Sequence, residues 1–253
     1  MISKSTIKYL LRNEYHSDKI LSFYKNLKKL LGAKRRCILI ACMPKSGSTF
    51  LRLCLQEILK YKRGRFNYAF ERQEQELYYP YMIDLWNKNV VIQQHLKATG
   101  PNLQLLNKFS IQPVILTRNI FDVVVSIRDY LLKEGVEKFP SVYATDEFLK
   151  MQKSDQYDFI ITYALPWYFF FFVSWQNAIY ENKINALMLN YEELIDNWEY
   201  SIIKILKYYN LEYNRNDVNT GIQSVYSLKN INYRFNRGVC GRGMIELNTL
   251  HIN

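Results

Sequence analysis

The chain has 253 residues, 49% of them hydrophobic and 23% charged, proportions that exclude a disordered or fibrous polypeptide and suit one α/β domain. With 34 Lys plus Arg against 23 Asp plus Glu, the formal charge of +11 favours anionic partners: a phosphorylated cofactor, an acidic polymer or a membrane surface. Four cysteines, Cys37, Cys42, Cys54 and Cys240, fit neither a disulfide framework nor the paired spacing of a zinc site, so reduced thiols and a cytoplasmic location are expected.

The first thirty residues carry Lys8, Arg12, Glu14, Asp18 and Lys19 and lack a signal peptide's apolar core, so no exported or anchored form is expected. Ser17 to Leu31 places Ile20, Leu21, Tyr24, Leu27, Leu30 and Leu31 at helical intervals, with Lys19, Lys25, Lys28 and Lys29 largely opposite. This predicts an amphipathic helical lead-in over residues 1–36. Cys37 to Met43 is a short apolar run whose length suits a buried strand. Similar runs recur at Val90 to Ile92, Val114 to Leu116 and Ala186 to Leu189. Helical patterns lie between them, at Thr49 to Leu59, Leu103 to Phe109, Phe121 to Leu132 and from about Glu147 to Tyr180. The most apolar stretch, Tyr163 to Trp175, contains Pro166 and is expected to be a buried helix, too short to cross a bilayer, or else an acceptor-pocket wall. The alternation predicts a central parallel sheet with helices on both faces, a P-loop nucleotide-binding type of α/β fold in a single domain over 1–253. In such sheets ligands gather at the carboxyl ends of the strands. Pro44 to Thr49, Gln93 to His95, Thr117 to Asn119 and Asn190 to Tyr191 should therefore converge on one crevice.

The first of these segments reads Met43-Pro44-Lys45-Ser46-Gly47-Ser48-Thr49-Phe50-Leu51, between a predicted strand and a predicted helix. Gly47 lets the backbone approach an anion, and the amides of Ser46 to Thr49 with the helix dipole would stabilise its charge. Against the triphosphate pattern G-x-x-x-x-G-K-[ST], Cys42 replaces the first glycine and Ser48 stands where lysine should follow Gly47. The lysine sits upstream, at Lys45, which suggests a ligand without a triphosphate tail. An ordinary strand-to-helix turn with a serine cap is the plainer alternative.

Pro44 to Leu51 resembles the 5′-phosphosulfate loop of sulfotransferases that use 3′-phosphoadenosine 5′-phosphosulfate (PAPS), written P-K-[ST]-G-[ST]-T-[WF]-L. The resemblance implies that Lys45 contacts the phosphosulfate and stabilises the departing oxygen, that Ser46, Gly47, Ser48 and Thr49 donate to the phosphate, and that Phe50 packs near the adenine. In Val114-Ile115-Leu116-Thr117-Arg118 through Ser126, Arg118 and Ser126 have the spacing with which the family grips the 3′-phosphate. A guanidinium fork and a hydroxyl suit that task, although a solvated Arg and a Ser bonded to its own helix would also explain them. Leu189-Asn190-Tyr191-Glu192-Glu193-Leu194 is similar to the family's L-x-Y-E-[DE]-L, which would place Tyr191 near the adenine; a strand entering a capped helix explains it equally well. Phe235-Asn236-Arg237-Gly238-Val239-Cys240-Gly241 resembles the R-K-G-x-x-G loop over the 3′-phosphate. That carries over Arg237 and Gly238, while Asn236 departs from the pattern and Arg242-Gly243 replace its acidic-Trp pair. A basic tail is the competing view.

Sulfonyl transfer needs a base for the acceptor proton, and a side chain titrating near neutrality suits it. Of the three histidines, His16 lies in the N-terminal region and His251 near the end, whereas His95 follows a predicted strand at the active edge. Gln93-Gln94-His95-Leu96 is similar to the family's K-T-H-[LF] except that Gln93 replaces the lysine, for which Lys97 would compensate if the strand continued. No metal-ligating cluster is visible in the sequence, and the resemblance needs none. The expected activity is in-line sulfonate transfer from PAPS to a hydroxyl or amine of a small-molecule, lipid or glycan acceptor, leaving adenosine 3′,5′-bisphosphate, with no nucleic-acid partner and no membrane span. The alternatives are a P-loop kinase, for which Lys45 is misplaced, and a non-catalytic binder of acidic glycans.

Overall fold

The computed structural model describes residues 36–68, 75–85, 88–138, 142–227 and 239–247. The predicted helix at Ser17 to Leu31, the histidines His16 and His251, and the loop residues Arg237 and Gly238 lie outside the described residues.

Five strands, β1 (Cys37–Cys42), β2 (Lys62–Gly64), β3 (Val90–Gln94), β4 (Val114–Thr117) and β5 (Leu187–Asn190), pair in the order β2-β3-β1-β4-β5, every pair parallel. The register sets Cys37 opposite Val90 and Ile40 opposite Val114. Helices α1 (Ser48–Leu59), α2 (Tyr79–Leu85), α3 (Gly100–Phe109), α4 (Ile120–Glu134), α5 (Glu147–Lys150), α6 (Lys153–Tyr163) and α7 (Leu165–Tyr180) lie between or after the strands. Past β5 come α8 (Tyr191–Asp196), α9 (Trp198–Tyr208), α10 (Arg215–Ser227) and α11 (Arg242–Glu246). β1 is buried along its whole length, as the centre of a doubly covered parallel sheet must be.

Strand alternation divides the core in two. Ile38, Ile40, Cys42, Val91 and Leu116 face Leu51 and Leu55 of α1, Ile202 and Ile205 of α9 and Val218 of α10. Leu39, Ala41, Ile92 and Ile115 face Leu106 of α3, Val124 and Ile127 of α4, Ile160 of α6, and Phe171 and Trp175 of α7. Three helix starts at the ligand-bearing edge are capped by asparagine. Asn119 accepts from the amides of Phe121 and Asp122, Asn190 from that of Glu193, and Asn197 from that of Tyr200.

Three expectations change. The single helical pattern from Glu147 to Tyr180 resolves into α5, α6 and α7, with Pro166 in the first turn of α7, where a missing N–H costs nothing. Taken as one span, Lys153–Tyr180 is long and apolar enough to cross a membrane by length and composition, so the shorter apolar run understated it. Nor is α7 buried all round. Tyr168, Phe171 and Trp175 enter the core, whereas Phe169 and Phe170 are 56% and 66% exposed and Phe172 and Val173 are exposed beside them. A helix that packs against one sheet face can bury only one stripe, whatever its composition.

Candidate active site

Beyond Cys42 the chain turns through Pro44–Gly47 before α1 begins. Lys45 and Gly47 take left-handed backbone, at φ 66° and φ 78°. For a lysine this is a strained conformation of the kind that concentrates at ligand sites. Hydrogen bonds from several elements hold it. Ser46 Oγ donates to the Met43 carbonyl at 2.6 Å, the Tyr168 hydroxyl to the Pro44 carbonyl at 3.3 Å, and Arg118 Nη1 to the Lys45 carbonyl at 2.8 Å. The first amides of α1 have no intrahelical acceptors, and its N-cap, Gly47, supplies no side-chain oxygen. Those donors and the positive end of the helix dipole favour an anion at this turn.

Gly47 is demanded twice, by its φ and by Tyr191, whose ring carbons would stand 2.8 and 2.9 Å from any Cβ. Gly47→Ala is expected to lose about 1–2 kcal/mol of stability from the left-handed backbone alone, with a further loss from displacing Tyr191. Urea unfolding at equilibrium checks this, and an unchanged midpoint would contradict the close approach.

The four loops predicted to converge do so. The Arg118 guanidinium lies 4.1 Å from the centre of the Tyr191 ring, and its Nη2 donates to the Val239 carbonyl at 3.4 Å. The Asn119 amide donates to Glu192 Oε1 at 3.1 Å. Gln93 Nε2 donates to Ser48 Oγ at 2.8 Å and to Thr49 Oγ1 at 3.4 Å. Five side-chain polar atoms are buried without a hydrogen-bond partner among the described residues, and two of them, Arg118 Nε and Ser126 Oγ, are donors on residues expected at the site. Such burial costs about 1–3 kcal/mol per group unless a partner binds.

His95 Nδ1 is 2.9 Å from the Cys42 carbonyl. A carbonyl only accepts, so Nδ1 carries the proton and Nε2 is the basic nitrogen. Burial lowers the His95 pKa, the Cys42 hydrogen bond raises it, and the Lys45 ammonium lowers it further; the net direction is down. The backbone amide of His95 donates to Gln75 Oε1 at 2.8 Å, and the Trp167 ring meets the imidazole edge-on at 6.5 Å. Lys97 lies beyond the end of β3, so the strand period that would pair it with His95 does not reach it. Lys45 Nζ sits 4.3 Å from the centre of the Tyr130 ring. Phe50 is 4% exposed, packed between Trp198 at 4.4 Å and Tyr226 at 4.7 Å.

Asp122, which flanks the Arg118 segment but was not among the expected site residues, closes the far side. Its Oδ2 accepts from the Gly241 amide at 2.8 Å and its Oδ1 from the Gly243 amide at 2.7 Å. A side chain on Gly243 would collide with the Phe121 backbone. Arg242 pairs with Asp129 and Glu246, each at 2.7 Å, which fixes α11 against α4. Asp122, Glu192 and Cys240 do form a group of potential metal ligands, their donor atoms within 4.8 Å, where the sequence suggested no cluster. Three of its carboxylate oxygens already accept backbone amides, which accounts for the trio as an anchor of the main chain. An open cleft of about 440 Å³ borders Arg118 and is walled by Met43, Thr117, Tyr168, Phe169 and Phe172. Tyr168, Phe169 and Phe172 belong to the Tyr163–Trp175 stretch expected as a buried helix or an acceptor-pocket wall, and they line the cleft; Tyr130 was not expected at the site, because aromatic content alone does not say which ring faces a loop.

A family model described as sulfotransferase domain matches residues 35–231. No curated protein matches the chain. Among solved structures, the crystal structure of mouse sulfotransferase SULT7A1 complexed with PAP superposes with a TM-score of 0.61 at 17% identity, over 87% of this chain and 81% of that one. At that identity the likeness speaks for the fold, and the family match spans most of the sequence, from the strand before the Pro44–Gly47 turn to beyond α10. The chain therefore belongs to the sulfotransferase domain family.

Proposed function

We propose that this protein transfers a sulfonate group from PAPS to a hydroxyl or amine of a small-molecule, lipid or glycan acceptor by in-line displacement. The observation that carries the reading is the pair of buried donors without a partner among the described residues, Arg118 Nε and Ser126 Oγ, the first on a side chain that donates to the Lys45 carbonyl of the left-handed turn. A 3′-phosphate accepting from both removes their desolvation cost, while the amides of Ser46 to Thr49 receive the 5′-phosphosulfate. The acceptor oxygen or nitrogen attacks sulfur, and its proton passes to His95 Nε2. The bond between sulfur and the bridging oxygen breaks, and Lys45 stabilises the charge left on the departing phosphate. Tyr191 and Phe50 border the adenine side, and Arg237 and Gly238 complete the grip on the 3′-phosphate. The displacement as written uses side chains and backbone amides alone, without a metal. Four free thiols suit a reducing, cytoplasmic compartment, and the whole chain from 1 to 253 acts as one domain.

Calorimetry tests the nucleotide. Adenosine 3′,5′-bisphosphate is expected to bind without added metal, and Arg118→Met to weaken it about tenfold or more, as loss of a charge-assisted phosphate contact does. Binding only of ATP with magnesium would overturn the assignment. Incubation with PAPS and metabolite extracts, followed by mass spectrometry for added sulfonate, identifies the acceptor.

A further inference from the structure

Ser48, Arg52 and Gln56 are spaced four apart on α1 and form one stripe down the helix. The stripe faces β3, where Gln93 alternates onto the same sheet face as Val91. The Gln93 amide is held at both ends. Arg52 Nε donates to its Oε1 at 3.2 Å, and its Nε2 donates to Ser48 Oγ and Thr49 Oγ1 at 2.8 and 3.4 Å. Arg52 itself is 7% exposed; its Nη1 donates to Gln56 Oε1, and Gln56 Nε2 in turn donates to the Tyr61 carbonyl at 3.4 Å.

A guanidinium has donors only, so it dictates which end of the Gln93 amide faces it. The carbonyl must turn toward Arg52, which forces the NH₂ toward the two hydroxyls. A hydroxyl whose oxygen accepts from an amide keeps its own proton to donate elsewhere. For Ser48 the competing acceptor is Cys42, whose thiol burial pushes up to about 12 and so keeps neutral. A thiol sulfur is a weak acceptor, and a phosphate oxygen takes the proton in preference.

We propose that Arg52 is a positioning residue that sets the direction of a donor relay through Gln93, so that the Ser48 and Thr49 hydroxyls present their protons to the 5′-phosphosulfate end of the nucleotide. The proposal rests on the reading of the Pro44–Thr49 turn as the nucleotide site, and it concerns one end of that ligand only. Its test therefore compares two ligands, adenosine 3′,5′-bisphosphate and adenosine 3′-monophosphate, which lacks the 5′ group.

Arg52→Met is expected to weaken the bisphosphate about tenfold and to leave the monophosphate within about twofold, because the lost charge-oriented donors face the 5′ end alone. Gln93→Glu is expected to do the same: a carboxylate accepts from Arg52 and also draws the hydroxyl protons back from the ligand. Arg52→Lys still only donates and recovers most of the affinity. Equal losses on both ligands would make Arg52 a purely structural residue, and no loss on either would remove the relay. A wild-type protein that binds neither ligand overturns the nucleotide reading and the relay with it. If Arg52→Met fails to fold, as a thermal melt reveals, the Gln93→Glu comparison decides alone.

Discussion

Lys45→Ala is expected to lower kcat/KM by about two to three orders of magnitude, the usual loss when a preorganised donor to a developing anion is removed. Negative charge grows on the bridging oxygen as sulfur leaves it, and an ammonium in a partly buried turn opposes that charge more strongly than water can. Backbone strain is a confounder, because Lys45 holds φ 66°. Alanine carries the same Cβ penalty, so Lys45→Ala changes the charge and leaves the strain. Lys45→Gly relaxes the backbone as well. Both variants should be comparably inactive, and the glycine variant should be no less stable to urea than wild type. Wild-type turnover in either one would refute the role.

His95→Ala should lose about two to four orders of magnitude in kcat, the span of a general base, while its affinity for adenosine 3′,5′-bisphosphate stays unchanged. The pH profile gives an independent check. Burial, aided by the Lys45 ammonium and opposed by the Cys42 hydrogen bond, holds the imidazole pKa below its ordinary 6.5. Nε2 therefore stays unprotonated as the medium falls from neutrality past that value, and the acid limb of kcat/KM should lie below 6.5. In the unfolded chain the same imidazole charges at its ordinary pKa. Below 6.5 the unfolded state binds the extra proton, so folding stability from this group is lost as the pH falls through that window. An acid limb at or above 6.5, or unchanged turnover in His95→Ala, would move the base elsewhere.

What could be read in advance was what is local in the chain. The turn from Met43 to Thr49 announces itself because an apolar run, a glycine and a displaced lysine stand side by side, and its geometry follows the expectation. β2 was missed because Lys62-Arg63-Gly64 is a short, polar edge strand with no apolar pattern to betray it. α9 could have been found: Asn197 is a cap, and Ile202, Ile203, Ile205 and Leu206 recur at helical spacing. The grip of Asp122 on Gly241 and Gly243 spans more than a hundred residues, and the Arg52–Gln93 contact spans 41, so neither pattern exists in any window of sequence. The exposed side of α7 was misjudged for the opposite reason, since its composition is legible but the number of surfaces offered to it is not.

The strand order bears on how the chain is made. β1 occupies the middle of the sheet, yet its neighbours β3 and β4 begin at Val90 and Val114. During synthesis its six apolar residues, with both edges unpaired, await partners that leave the ribosome dozens of residues later. Long-range parallel pairing of this kind closes slowly, so nascent chains stalled before Val114 should be the species that chaperones capture, and truncations there should yield aggregates rather than a smaller folded unit.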